Sequence, residues 1–390
     1  MSRIYLDYNA TTPVDRAVVE AMLPFLSAEF GNASSIHAFG QKARAAVETA
    51  REQVAALISA QAQEVVFTSG GTESDNHAIF GVTQALSAGR SGAHIITSAI
   101  EHEAVLNACQ ELEKRGFTVT YLGVNRDGLI DVEQLRRAIR PETVLITIMH
   151  ANNELGAVQP LSEIGRVAAE ADVTFHTDAV QSVGKIPVHV QALQVDLLSL
   201  SGHKIYGPKG VGALFIKSGT RVGQFFYGGN HQRGFRPGTE NVAGSVALGK
   251  AAELAQLALE KDAARISKLR DELERGLLAR LPDIRVNASG ATRTPNTSNI
   301  SFAGIEGEAL LIALDLKGLA CSTGAACSSG ALEPSHVLTA IGLGATEARG
   351  SLRFSLGRGT TEEEIRAALE LVPAAVGQLR SISPRYQRQT

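Results

Sequence analysis

Lys204 and Asp178 are the side chains whose type and position most clearly suggest chemistry. Lys204 ends the run Ser201–Lys204, just after one apolar segment, and Asp178 follows another apolar segment 26 residues earlier. The segments Val173–Thr177 and Val195–Leu200 are short apolar runs bounded by polar residues, which predicts strands of a mostly buried parallel sheet. In such sheets ligands bind beyond the carboxyl ends of the strands. We therefore expect an amine and a buried acid to face the same ligand.

A third segment predicts an anion pocket at the same edge of the sheet. The run Val65–Thr68 leads through Gly70 and Gly71 into a helix. Glycines let backbone amides approach an anion, and a helix start offers unpaired N–H groups and a positive dipole end. An anion pocket, an amine and an acid together suit pyridoxal phosphate, because the lysine forms the Schiff base and the acid pairs with the pyridine nitrogen. Alone, the lysine is more often a solvated loop residue, the aspartate more often a helix cap, and the glycine pair a common turn.

The composition is typical of a globular protein without a nucleic-acid surface. The 390 residues are 44% hydrophobic and 20% charged, and the net charge of -3 is spread along the chain. The first residues do not resemble a signal peptide, and no stretch approaches the roughly 20 apolar residues of a membrane span. We therefore expect a cytoplasmic protein that binds neither membrane nor nucleic acid. Three cysteines do not make a disulfide framework, so at least one thiol is free.

The order of predicted elements indicates an α/β fold with two domains. Between residues 64 and 216, short apolar runs alternate with helical stretches, the pattern of βα units around a parallel sheet. Residues 244–280 are rich in Ala, Leu, Glu, Lys and Arg and predict one or two helices. Shorter strands and helices follow. We assign residues 14–250 to a large domain, and residues 1–13 and 251–390 to a small domain that carries a cysteine loop at 320–332.

The cysteine loop is the second segment that suggests chemistry. Cys327 is surrounded by Ser, Gly and Ala, which bury little surface, so the segment is expected to be a mobile loop that ends where Leu332 begins a helix. Its thiol is either an unreactive surface group or a nucleophile. A nucleophilic role needs a cation or base, because an ordinary thiol has a pKa near 8.5. His102 and the amine of a substrate both remain candidates. Cys321 is expected at a strand end and Cys109 in a packed helix.

With these residues in view, the chain resembles the cysteine desulfurases of the NifS/IscS group. These enzymes belong to the class V aminotransferases, with the aspartate-aminotransferase-like fold type I of pyridoxal phosphate enzymes. The resemblance therefore implies a large domain with a mostly parallel central sheet and a smaller α+β C-terminal domain. It covers nearly the whole chain and rests on motifs in one order: Tyr5–Pro13, Gly31–His37, Phe67–Asn76, Met149–Glu154, His176–Lys185, Ser201–Gly210, Arg236–Asn241, the Cys327 loop and Leu352–Gly357.

The resemblance implies a role for each candidate residue. The catalytic residues would be Cys327, Lys204 and His102. Pyridoxal phosphate would be bound by Lys204, Asp178, His102, Gln181, Gly71, Thr72, Ser201, His203 and, from the second subunit of a homodimer, Thr239. The substrate would be bound by Asn153, Arg353 and Asn32. Arginine suits a carboxylate because its planar fork makes two parallel hydrogen bonds. Taken singly, most of these residues are equally well explained as turn, cap or surface residues.

The implied reaction converts L-cysteine to alanine and leaves a persulfide on Cys327. A sulfur-acceptor protein such as an iron–sulfur scaffold would then receive the sulfur. No resident metal is expected, although a transient role for Cys327 as an iron–sulfur ligand remains open. Cys321 departs from the family pattern, which usually has an apolar or small residue there, so exchange between Cys321 and Cys327 is conceivable. A selenocysteine lyase, an aminotransferase or other β-eliminating enzyme, and a non-catalytic iron–sulfur scaffold are the alternatives.

Overall fold

A mostly parallel sheet lies at the centre of the protein. The computed structural model describes residues 3–87, 92–324, 334–384 and 386. The strands are β1 (Ile4–Tyr5), β2 (Val65–Thr68), β3 (His94–Ser98), β4 (Thr118–Leu122), β5 (Thr143–Thr147), β6 (Thr174–Asp178), β7 (Leu197–Ser201), β8 (Gly212–Ile216), β9 (Ile284–Val286), β10 (Thr297–Phe302), β11 (Leu319–Ala320) and β12 (Ser351–Ser355). The α-helices are α1 (Arg16–Met22), α2 (Ala38–Ile58), α3 (Gly71–Ser87), α4 (Glu103–Lys114), α5 (Val132–Ala138), α6 (Leu161–Glu170), α7 (Val190–Leu193), α8 (Val242–Arg280), α9 (Gly307–Leu316), α10 (His336–Ala340), α11 (Ala345–Arg349) and α12 (Glu362–Ile382).

The central sheet has the strand order β2-β8-β7-β6-β5-β3-β4. Strands β3 to β7 pair in parallel, whereas β8 is antiparallel to both β7 and β2. The short connection between β7 and β8 explains the exception, because a parallel crossover needs about a dozen residues or more. Parallel strands buried on both faces read as continuous apolar runs, as the sequence shows. The carboxyl ends of β6 and β7 therefore meet at one edge.

Two hydrophobic cores flank the long helix α8. The first core surrounds the central sheet and includes Ala247, Leu248 and Ala251 of α8, and the second includes Leu273 and Leu277 of the same helix. By length and composition α8 could cross a membrane, the only described helix of which this is true, but 56% of its most apolar window is buried. It packs against α1, α2 and α12, which is how a core helix of a globular protein behaves.

Two smaller sheets bring the ends of the chain together. Strands β12, β10 and β9 form an antiparallel sheet, and the short strand β1 pairs in parallel with β11. The residues after β1 continue across to the central sheet, where Thr12 N donates to His203 O at 3.0 Å. The N-terminal segment thus touches both cores. The proposed boundaries at residues 13 and 250 stay predictions.

The elements differ from the sequence expectations mainly at their ends. Helix α1 covers only Arg16–Met22, and the chain continues as a 3-10 helix over Leu23–Leu26, where Pro24 cannot donate a backbone hydrogen bond. The segment 244–280 forms one helix of 39 residues. After the cysteine loop, helix α10 begins at His336 with Ser335 as its N-cap.

Candidate active site

Lys204 lies in a one-turn 3-10 helix, Gly202–Lys204, that directly follows β7. Its Nζ donates hydrogen bonds to the backbone oxygens of Asn9 at 2.6 Å and Ala10 at 2.8 Å. The amine is therefore held over the N-terminal segment by two carbonyls. Tyr206, two residues later, has a φ of 68°, which is unusual for a residue with a side chain. The turn after Lys204 is thus tight.

Asp178 is the last residue of β6 and lies beside β7, with Ser199 as its register partner. It is 7% exposed, and its Oδ1 accepts a hydrogen bond from Val180 N at 2.9 Å. Burial raises the pKa of Asp178, whereas the nearby His102 and Lys204 partly lower it. Asp178 and Lys204 therefore share one electrostatic environment at the carboxyl ends of two adjacent strands. This is the placement that chain order predicted.

Two further acids lie beneath Asp178 and were not singled out from the sequence. Burial and the neighbouring Asp178 raise the pKa of Asp75 well above its usual range, and Asp75 Oδ1 has no hydrogen-bond partner among the described residues. Burial raises the pKa of Glu101 to about 8. Glu101 accepts from Ser98 Oγ at 2.6 Å and from Met149 N at 2.9 Å. Burial therefore disfavours the ionised forms of both acids.

The sequence carried a signal for Asp75 but none for Glu101. Asp75 stands on the buried face of α3, at helical spacing from Ala78, Ile79 and Val82. A charged residue within such an apolar stripe is a departure that periodicity can detect. Glu101 lies in the loop between β3 and α4, where a glutamate is common and its sequence position does not indicate burial. Only its tertiary hydrogen bonds show that it is buried.

His102 and Gln181 are two further residues expected around a cofactor ring. His102 is the N-cap of α4, and its Nδ1 accepts from Ala104 N at 3.1 Å, so a neutral ring carries its proton on Nε2. Gln181 is 6% exposed, and its Nε2 donates to Asn9 O at 3.0 Å. Asn9 O therefore accepts from both Gln181 and Lys204. Two of the residues expected around the cofactor, Gln181 and Lys204, are therefore joined through this one carbonyl.

Of the expected phosphate-binding residues, Gly71 and Ser201 meet at the start of α3. Gly71 is its first residue, and a Cβ built there would lie 2.7 Å from Val180 Cγ2 and 3.9 Å from Ser201 Cβ. Only glycine lets the helix start approach the strand ends this closely. Ser201 is buried, Thr72 is exposed, and His203 Nδ1 lies 3.2 Å from Thr11 Oγ1. Burial, with the charge of Lys204, lowers the pKa of His203 to about 4.

Arg353 lies on the other side of the site, on β12. Its Nη2 donates to Asp7 Oδ1 at 2.8 Å and its Nη1 donates to Asn153 O at 2.9 Å. The side chain is 4% exposed, and its Nε has no partner among the described residues. Arg353 is therefore an oriented, buried cation whose Nε–H makes no hydrogen bond among the described residues. Such a donor suits an added carboxylate.

Three expected residues are not joined to this cluster in the described part of the chain. Asn32 is exposed, and its Oδ1 accepts from Ser34 N at 2.9 Å, which makes it a turn residue here. Thr239 is exposed, in a segment held by Arg236, whose Nε donates to Glu73 at 2.9 Å. Cys327 lies outside the described residues. Their assigned roles stay predictions.

The other two cysteines are poorly suited to nucleophilic chemistry. Cys109 lies in α4 with no exposed surface, and burial raises its pKa to about 12. Cys321 directly follows β11, as expected, and burial likewise raises its pKa to about 12. The thiolate is the reactive form of cysteine, so neither is activated.

Comparison with known proteins places the chain in one family. The family model described as "Aminotransferase class-V" matches residues 4–368. The cysteine desulfurase IscS of Dictyoglomus turgidum is 52% identical over 384 residues, which cover 98% of this chain and 97% of that protein. Cysteine desulfurase 1 of Trichormus variabilis is also 52% identical over 384 residues, with 98% and 95% covered. The chain belongs to the cysteine desulfurases of the class-V aminotransferase family.

Solved structures agree with this membership and confirm the predicted fold. A NifS-like protein superposes with a TM-score of 0.90 at 37% identity, covering 97% of this chain and 100% of that one. SspA in complex with cysteine superposes with a TM-score of 0.81 at 40% identity, covering 92% and 100%. The fold of the cysteine desulfurases, with its mostly parallel central sheet, is therefore the fold of this chain.

Proposed function

We propose that this chain is a pyridoxal-phosphate-dependent cysteine desulfurase that converts L-cysteine to L-alanine and leaves a persulfide on Cys327. The observation that carries the proposal is the meeting of Lys204 and the buried Asp178 at adjacent strand ends. The residues fit the cofactor because Asp178 is a buried acid with a raised pKa and Gly71 leaves room at a helix start. Membership of the desulfurase family selects the reaction.

Each residue of the cofactor side would have a distinct task. When bound, pyridoxal phosphate supplies an electron sink for negative charge at the substrate Cα. Asp178 would bind its ring nitrogen, His102 would lie against the ring, and Gln181 would donate to the phenolic oxygen. The phosphate would be bound by Gly71, Thr72, Ser201 and His203. Lys204 would bind the cofactor and, once replaced by the substrate amine, would carry the proton at Cα.

The substrate side would hold the amino acid by its carboxylate. Arg353 is already oriented by Asp7 and Asn153, and its unpaired Nε is a donor for a carboxylate oxygen. Asn153 and Asn32 would add polar contacts. The Cys327 thiolate would then attack the substrate sulfur. The new S–S bond forms as the C–S bond breaks, the electron pair stays on carbon, and protonation of that carbon gives alanine.

We also propose a homodimer that passes its sulfur to an acceptor protein in the cytoplasm. The segment around Asn32 carries exposed apolar side chains, with Phe30 72%, Ile36 89% and Phe39 56% exposed. Apolar patches of this kind usually mark an interaction surface. A second copy covering this segment would place Asn32 and Thr239 at an interface. Light scattering on the purified protein tests the dimer, and a monomer would contradict it.

The cofactor assignment is tested by Lys204→Ala, with Lys217→Ala as the matched control. Lys217 is 55% exposed and pairs with Asp196 at the far end of the sheet. Lys204→Ala should abolish the absorbance of lysine-bound cofactor and lower alanine production from cysteine by at least about 100-fold. Lys217→Ala should retain both. An unchanged spectrum in Lys204→Ala would refute the assignment.

A further inference from the structure

A second lysine, Lys185, lies inside the site without a role in the proposed function. Its Nζ donates to Gln181 Oε1 at 2.7 Å and to Asn9 Oδ1 at 2.9 Å. Burial lowers the pKa of Lys185 well below its usual range, and the charges of Lys204 and Arg353 lower it further. Among the described residues no carboxylate pairs with it. A buried lysine without an ion pair is costly, so its presence favours a function over a purely structural role.

The backbone places Lys185 against the turn that carries Lys204. Gly184 has a φ of 73°, and a Cβ there would lie 2.7 Å from Ile205 Cγ2. Ile205 directly follows Lys204. Glycine is therefore required at position 184 both by its conformation and by the close approach. Lys185 and Lys204 also line one cavity of about 30 Å³. The packing of Gly184 against Ile205 therefore fixes the position of the Lys185 backbone relative to that of Lys204.

The hydrogen bonds around Lys185 determine which way two amides point. The Nδ2 of Asn9 donates to Thr297 Oγ1 at 2.8 Å and to Asn153 O at 3.1 Å, so Asn9 Oδ1 must face Lys185. A lysine amine can donate two hydrogen bonds whether or not it is charged, so Lys185 donates to both oxygens in either state. Gln181 Oε1 therefore accepts a hydrogen bond from Lys185 Nζ. Gln181 Nε2 then faces the opposite way, toward Asn9 O.

We propose that Lys185 is a positioning residue that fixes the Gln181 carboxamide so that Nε2, and not the oxygen, is presented to the phenolic oxygen of the cofactor. This inference rests on the proposed function, which assigns Gln181 to that oxygen. An amide nitrogen carries two N–H groups. One is used by Asn9 O, which leaves the second as the donor. A flipped amide would present an oxygen to an oxygen and repel it.

The test is a pH titration of the absorbance of cofactor bound to Lys204 in the full-length holoprotein. A hydrogen bond to the phenolic oxygen stabilises its negative charge, so its loss makes the chromophore easier to protonate. Lys185→Met and Gln181→Met should each raise the midpoint by about one pH unit. The double variant should match Gln181→Met alone, because both changes remove the same bond. Lys217→Met, on an exposed lysine, serves as the control and should leave the midpoint unchanged.

Two results would overturn the inference while leaving the proposed function intact. One is a wild-type midpoint in Lys185→Met beside a raised midpoint in Gln181→Met. The other is a double variant whose shift is the sum of the single shifts. If Lys185→Met does not fold, Lys185→Leu, which also lacks a donor, takes its place, and a wild-type midpoint in that variant would overturn the inference. A failure of the proposed function is distinguishable, since the wild type would then lack the lysine-bound absorbance altogether.

Discussion

The two sides of the candidate site bury charge in opposite ways. On the central sheet, Asp178 and Asp75 lie buried with raised pKa values, and His176, 3.7 Å from Asp75, has a pKa lowered by burial to about 3 and is neutral. On the small sheet, Arg353 is buried with Asp7 as its partner at 2.8 Å. The first side thus holds acids whose ionised forms are disfavoured by burial, whereas the second holds a buried ion pair in which Arg353 Nε makes no hydrogen bond among the described residues. The contrast matches a ring nitrogen on one side and a substrate carboxylate on the other.

The largest expected effect comes from removing the acid on the central sheet. Asp178→Asn keeps the shape but removes the charge that would pair with the ring nitrogen. Losing one partner of a buried ion pair costs about 3 to 5 kcal/mol, so alanine production should fall by at least about 100-fold. Steady-state assays with saturating cofactor measure this loss.

The apoprotein should respond to Asp178→Asn in the opposite direction. Burial disfavours the ionised carboxylate more than His102 and Lys204 stabilise it, so the neutral amide should leave the urea midpoint at neutral pH unchanged or raise it. A variant that is active but less stable would break the comparison, because Asp178 would then act as a structural residue.

A smaller effect is expected from the arginine on the small sheet. Arg353→Met removes the donors for the substrate carboxylate, and hydrogen bonds to a charged group contribute about 1.5 to 3 kcal/mol. The KM for cysteine should rise roughly 10- to 100-fold, with a smaller change in kcat.

Asp7→Asn is the matched change on the partner of Arg353. It releases Nη2 from a competing carboxylate, so the KM for cysteine should fall. If Asp7→Asn raised the KM as much as Arg353→Met, the ion pair itself would be required for binding, and the view of Arg353 as a cation with a spare donor would be wrong.

The smallest expected effect is on the pH dependence of the unfolding free energy, and it comes from Glu101 on the central-sheet side. The pKa of Glu101 is raised to about 8 in the folded protein, so the folded state keeps a proton that the unfolded state loses above its ordinary value. Its contribution to stability is therefore complete at low pH and is lost as pH rises toward 8. Glu101→Gln should make the slope of unfolding free energy against pH less negative by about 1.4 kcal/mol per unit between pH 5 and 8.

Urea unfolding of the apoprotein at several pH values measures this slope. Glu260→Gln, on an exposed position of α8, is the control and should leave the slope unchanged. Identical slopes in the wild type and Glu101→Gln would mean that Glu101 is ionised in the folded state.

The fold and the cofactor side were accessible from sequence, and the comparisons confirm the fold and family. Buried parallel strands carry continuous apolar runs, so the positions of Asp178 and Lys204 at strand ends follow from local pattern and chain order. The pairing of Arg353 with Asp7 joins residues 346 positions apart. Such contacts depend on packing between sheets, and no local pattern encodes them. The role of Asn9, which accepts hydrogen bonds from Lys204, Lys185 and Gln181, could not be predicted from the sequence for the same reason.

The most direct test of the proposed desulfurase reaction is to incubate the purified holoprotein with L-cysteine and measure both products. We expect alanine to form together with one added sulfur atom on the peptide that contains Cys327, detected by mass spectrometry under non-reducing conditions. Cys327→Ser should bind the cofactor but form neither product. Alanine formation that persists in Cys327→Ser, or sulfur that appears on Cys321 instead, would contradict the account.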